Sequence, residues 1–269
     1  TFSVPTADSL FLLILSILAL ESAHSIRFLY QHFLSEITEK SLNVFYYACS
    51  YAKVDYSRFM NTTVRIALKL IPDSLQTQPV FLRVDDTMVS KFGTKFENVS
   101  KLFDHTAHNG SNYLNGHCFV SVMLCVPVWN GDKVSYLSVP LGYRMWQKKE
   151  SKLELAASMI RQVMPEFHSK DHIIILCDSW YTKHNLACIV NEYPNLDLIG
   201  NARIDSAMYD LAPARTGHRE RPAKHGKQLS VETDYTFSDE KIGDYYTGVR
   251  RVLTRIFGSQ EVLAYVTAT

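Results

Sequence analysis

The chain has 269 residues, of which 46% are apolar and 20% charged, and its formal net charge is +1. That length suits one large domain or two smaller ones, and the balance is that of a globular protein rather than a disordered or fibrous one. So small a net charge excludes a global polycation, so any contact with nucleic acid must come from local patches.

Residues 1–78 are rich in Leu, Ile and Ala with few breakers, and the spacing predicts helices over Leu10–Phe33 and Val44–Ile71, the second closed by Pro72. The apolar run Leu10–Leu20 has eleven residues, against about 20 needed to span a bilayer. No basic stretch precedes it and no small-residue cleavage site follows, so it reads as a buried helix rather than a membrane span or signal peptide. The chain starts with Thr rather than Met, which suggests that residues precede it. A small helical bundle is expected here.

From Pro79 the pattern turns to strands. The run Pro79–Asp85 ends on Asp85 and Asp86, and Cys118–Val128 alternates, with Cys118, Val120, Val122, Leu124, Val126 and Val128 on one face. Asn130-Gly131-Asp132 is a turn signal, and Lys133–Pro140 reads as the returning strand. Ser151 and Glu154 form a capping box before a helix whose apolar stripe is Leu153, Ala156, Ala157, Ile160, Val163 and Met164, with Pro165 beyond. A second apolar run, His172–Asp178, leads to a helix over 182–192 and a strand over 196–200. The order over 79–203 is that of an α/β core in which the two acidic strands lie side by side. Residues 204–269 form a third region. Five Lys or Arg face one Glu between Pro213 and Lys227, and Leu229–Thr236, Val249–Ile256 and Glu261–Thr267 read as β segments. The last of these runs nearly to Thr269, which suggests a truncated end.

A buried-looking strand that ends in a carboxylate is a costly choice unless the charge is used or paired. Two such strands point to a shared divalent cation, and hard Mg²⁺ or Mn²⁺ prefers oxygen ligands. Asp85, directly after Val84, is the preferred first ligand and Asp178 the second. Asp86 points to the opposite face and supports the site from behind, though the two could be reversed. The competing explanation is an Asp that caps the following turn, which Asp178 before Ser179 can do.

Val84-Asp85-Asp86-Thr87 with Lys91 and Gly93, the stretch from Pro140 to Trp146, and Cys177-Asp178-Ser179-Trp180-Tyr181 together resemble bacterial insertion-sequence transposases of the DDE group, over essentially the whole chain. The resemblance implies an RNase H-like mixed sheet with flanking helices, an N-terminal helical DNA-binding region and a β-rich insertion. It further implies cut-and-paste chemistry on double-stranded DNA at the element ends and target, two Mg²⁺ ions held by an Asp-Asp-Glu triad, and a homodimer on paired ends. Asp85 and Asp178 match the two Asp positions. The Glu should lie in a helical Tyr-x2-Arg-x3-Glu-x6-Lys pattern, and Glu220, Glu232, Glu240 and Glu261 all lack the Tyr and Arg offsets. The third carboxylate is therefore expected beyond Thr269, and the chain as it stands is expected to hold metal and cut DNA poorly. A non-catalytic DNA-binding remnant is the alternative. A haloacid dehalogenase-type phosphohydrolase wants a second Asp two residues on, where this chain has Thr87.

Lys91 and Lys95, close behind the first Asp pair, are candidate phosphate contacts. The strongest basic footprint is Arg215, His218, Arg219, Arg221, Lys224, His225 and Lys227, extended by Arg250, Arg251 and Arg255. Trp146 and Trp180 are either core or stacking surfaces for an unpaired base. Asp104, His105, His108 and His117 resemble a metal cluster, but their spacing suits loop hydrogen bonding better than zinc. The five cysteines are widely spaced with no C-x-x-C pair, which reads as buried thiols in a reducing, cytoplasmic setting.

Overall fold

The computed structural model describes residues 2–20, 25–93, 95–103, 112–214, 223–257 and 261–268. The chain divides into two compact units, Thr1–Thr63 and Val64–Thr269.

In the first unit α1 (Val4–Ala19) is followed by α2 (Ile26–Leu29), a π-helical turn (Tyr30–Leu34), α3 (Ser35–Ile37) and α4 (Leu42–Ser50), and α5 (Tyr56–Leu68) spans the unit boundary. The two long helices expected from the sequence are thus broken. Asp55 accepts a hydrogen bond from the Arg58 amide (2.9 Å) and starts α5 afresh. The expected burial of Leu10–Leu20 also does not hold. Only the stripe Ser9, Leu13 and Ser16 is buried, at the i, i+4, i+7 spacing of one helix face. Phe11, Ile14, Ile17 and Leu18 face outward, because Leu29, Leu34 and Phe45 cover one side of α1 only. Among the described residues no helix is long and apolar enough to cross a membrane.

The second unit is built on a mixed sheet of β1 (Val80–Ser90), β2 (Ser100–Phe103), β3 (Tyr113–Asn130), β4 (Lys133–Met145), β5 (Ile173–Cys177) and β6 (Leu196–Gly200). The hairpin β3–β4 turns at Gly131, whose φ of +60° suits a residue without Cβ. Its register shifts after Val122, near Pro140, which has no amide to give to the ladder. The core order is β4, β3, β1, β5, β6, with β2 also on β3. β1 is antiparallel to β3 and parallel to β5, and β5 is parallel to β6. Three antiparallel strands followed by two parallel ones, with a helix between, make an RNase H-like core.

That helix is α6 (Lys152–Val163), opened by the expected capping box of Ser151 and Glu154. Its stripe Ala156, Ala157, Ile160 and Val163 is fully buried, as are Val120, Val122, Leu124 and Val126 of β3. The helix expected over 182–192 is shorter: α7 (His184–Ala187) passes into a 3-10 turn, Cys188–Asn191.

A second sheet holds β7 (Met208–Tyr209), β8 (Gln228–Leu229), β9 (Phe237–Ile242), β10 (Tyr245–Thr254) and β11 (Glu261–Ala268), in the order β8, β7, β10, β11 with β9 also on β10. The strand expected at Leu229–Thr236 falls instead at Phe237–Ile242. Residues 230–236 turn because Asp234 accepts the Ser230 amide (2.9 Å) and pairs with Lys227.

Candidate active site

β1 does not end at Asp85, as its sequence suggested. Its antiparallel pairing with β3 runs on to Ser90 opposite Gly116, whereas its parallel pairing with β5 stops at Val84 opposite Cys177. Asp85 and Asp178 each follow that last parallel pair, so they stand next to one another at the carboxyl end of the two central strands. Both are exposed. Crevices at the carboxyl ends of parallel strands are where ligands of open α/β sheets bind.

Alternation then separates the two neighbouring aspartates. Val80, Leu82 and Val84 are buried, so Asp86 shares their face and Asp85 does not. Asp86 pairs with Lys152 at the start of α6, and their side chains are 19% and 15% exposed. Cys118 Sγ donates to the same Asp86 oxygen at 3.0 Å. Burial works against the Lys152 ammonium, but the hydrogen bond and charge of Asp86 outweigh it and hold the pKa above its ordinary value. Burial, then the Asp86 hydrogen bond and charge, push the Cys118 thiol up to about 11.

Asp178 is held by the turn it opens. Its Oδ1 accepts the amides of Trp180 and Tyr181, both at 3.1 Å, and its carbonyl accepts the Thr182 amide and hydroxyl at 3.0 and 2.7 Å. It is thus the turn-capping Asp foreseen as the structural alternative, with Oδ2 uncommitted in these bonds. The Tyr181 side chain is fully buried, yet its hydroxyl has no hydrogen-bond partner among the described residues. Burial, followed by the fields of Asp86, Cys118, Asp85 and Asp178, raises its pKa far above the ordinary range. A native protein rarely leaves such a donor unused. Carboxylate oxygens beside an orphaned donor fit a hydrated hard cation. Among the described residues no group of three or more His, Cys, Asp or Glu is placed to hold a metal ion.

The other candidates divide. Lys91 and Lys95 flank Gly93, whose φ is +95°, and the Lys91 ammonium rests 5.6 Å from the Phe96 ring centre. Lys224 is exposed, but Lys227 is paired with Asp234. Arg250 and Arg251 pair with Asp210 and Glu261, so they are not free extensions of a basic patch. Arg215, His218, Arg219 and Arg221 lie outside the described residues, as do Glu220, Asp104, His105, His108 and the Arg255 side chain. Of the described glutamates weighed for the third ligand, Glu232 is in a turn, Glu240 in β9 and Glu261 on β11. Trp180 is 40% exposed, which does not agree with simple core packing.

Residues 45–256 match the family described as DDE superfamily endonuclease. The chain belongs to that family. The resemblance to the DDE group is thereby met, and endonucleases of this family generally use divalent metal ions. The crystal structure of the Mos1 strand transfer complex is similar to this DDE superfamily endonuclease over 73% of this chain and 58% of that one. The identity is 11% and the TM-score 0.23, too low to carry an argument. The chain therefore spans under two thirds of that protein. No curated protein matches.

Lys152 was not singled out from the sequence, where Cys118 figured only on a strand face and Tyr181 only within a motif. Lys152 lies 66 residues from Asp86, and no local spacing links them. The only available signal was Lys152 at the first position of a capped helix.

Proposed function

We propose that this chain is a transposase that cleaves DNA and transfers strands at the ends of its element, with Asp85 and Asp178 as catalytic metal ligands. The observation that carries this reading is their placement side by side, both exposed, at the carboxyl end of the central parallel strands. Mg²⁺ or Mn²⁺ held there, two ions in the complete site, would activate the attacking water or 3′-hydroxyl and stabilise the leaving oxygen. The two amides of the Asp178 turn fix that carboxylate before any ligand arrives, which lowers the ordering cost of binding. Asp86 is the supporting residue: its pair with Lys152 anchors β1 to α6 immediately behind Asp85. Double-stranded DNA is the substrate, and a homodimer on paired ends is the working assembly. A third carboxylate, which this chemistry requires, is not assigned among the described residues.

That last point favours a second reading, a DNA-binding protein without nuclease chemistry. One experiment separates them. Asp85→Asn and Asp178→Asn in the full-length protein should each abolish Mg²⁺-dependent nicking of the element ends while duplex binding survives. Normal cutting by both variants would sink the assignment, and no nicking by the parent protein under any metal condition would select the second reading.

A further inference from the structure

Beside the carboxylates, five side chains alternate cation and ring: Lys148, Trp146, Lys152, Trp180 and Lys183. The Lys148 ammonium lies 5.8 Å from the Trp146 ring centre, and Lys152 lies 5.4 Å from Trp146 and 4.9 Å from Trp180. Lys183 closes the series at 4.6 Å from Trp180. All four separations fall within cation–π range. The central lysine is neutralised by Asp86. The two end lysines are exposed and have no ion-pair partner among the described residues.

We infer that Lys148 and Lys183 are the phosphate contacts of the DNA strand that reaches Asp85 and Asp178, an inference that rests on the nuclease reading above. Three observations support it. The series is tied to both carboxylate strands, since Lys152 is bound to Asp86, next to Asp85, and Trp180 lies two residues after Asp178. The rings restrain lysines that would otherwise lose much rotamer freedom on meeting a phosphate, so part of the ordering has already occurred. Finally, Lys148 sits at φ +62°, a left-handed conformation uncommon for a residue with a Cβ. The turn is closed by Trp146 Nε1 donating to the Glu150 carbonyl at 2.8 Å. Glycine would satisfy that backbone with less strain, so a lysine there points to a use for its side chain. The ligand class is the phosphodiester backbone, read without regard to base sequence.

The test is the salt dependence of binding by the full-length protein to a short fluorescein-labelled duplex of arbitrary sequence, followed by anisotropy across a KCl series. Lys148→Gly and Lys183→Gln should each reduce the slope of log K against log salt by about 0.9, and the double variant by about twice that. Lys133→Gln, at the exposed start of β4, should leave the slope unchanged. Lys148→Gly should also melt no lower than the parent, because it relieves the backbone. Unchanged slopes in both single variants, with the parent still binding, would overturn the assignment. So would an equal loss in Lys133→Gln, which would make the attraction diffuse. The nicking assay on Asp85→Asn and Asp178→Asn uses neither lysine, so failure of the nuclease reading is seen separately.

Discussion

In the first sheet, Val120, Val122, Leu124 and Val126 of β3 are fully buried, and the charged pair Asp86–Lys152 is mostly enclosed with them. In the second sheet, Val249, Leu263 and Tyr265 face solvent, and the core is a small cluster of Leu229, Tyr235, Val252 and Ala264. Of the ion pairs there, Arg251–Glu261 is largely wet, Lys227–Asp234 is wet at the lysine alone, and Arg250–Asp210 is part-buried. The contrast separates two uses of charge. A carboxylate that must stay still is braced on the buried sheet, where desolvation makes partner loss expensive. On the second sheet Lys227, Arg250 and Arg251 are already matched to acids, and the exposed match Arg251–Glu261 is worth little. A sequence scan for basic clusters favours the second sheet. Three-dimensional placement favours the first, where Lys148 and Lys183 have no ion-pair partner among the described residues.

The comparison can be broken in order of expected effect. Leu124→Ala should cost about 2–5 kcal/mol in urea unfolding, as a cavity in a closed core does. Leu263→Ala, on the exposed face of β11, should stay within about 0.5 kcal/mol; equal losses would show that the second sheet is packed as firmly as the first. Next, Lys152→Met should cost about 2 kcal/mol by stranding Asp86 in a mostly enclosed site, and adding Asp86→Leu should recover most of it. Arg251→Ala removes a wet pair and should cost less than about 1 kcal/mol.

Alkaline pH gives a third measure. The native state keeps the Cys118 proton up to about pH 11, whereas the unfolded thiol releases it near 9.0. Between those values the native state binds more protons, so stability should fall as pH rises through that window. Lys152, whose pKa is also raised, acts in the same direction, its contribution present at neutral pH and lost as the ammonium deprotonates. Cys118→Ala should flatten the fall in a thermal-shift series. Smallest is Tyr181→Phe. Removing an unpaired buried hydroxyl should leave metal-free stability unchanged or raise it by up to about 1 kcal/mol. The same change should weaken Mn²⁺ binding measured by electron paramagnetic resonance. A clear loss of metal-free stability with unaltered Mn²⁺ binding would make the hydroxyl purely structural.

Much of this was legible in the chain. The alternation of Cys118–Val126, the turn at Gly131, the capping box of Ser151 and Glu154 and the stripe of α6 are local patterns, and each appears as expected. Boundaries were less legible. The extension of β1 to Ser90 depends on β3, a strand about 30 residues away, rather than on any property of Asp85 or Asp86. The apolar run of α1 announced a helix correctly, but its burial depends on how many neighbours cover it.

The aspartates show the same division most clearly. By itself the sequence determined that Asp85 and Asp86 point to opposite faces, because successive side chains of a strand must. It also marked Asp178 as the end of an apolar, buried-looking strand. Only the tertiary structure decided which face is covered. With α6 on the side of Val80, Leu82 and Val84, Asp86 meets Lys152 and Cys118, and Asp85 is left beside Asp178 in solvent. Periodicity fixes relative direction along one strand, whereas burial is a property of what packs against it. The cation–ring series beside the site has the same origin, since its five members come from segments that meet only once the sheet has formed.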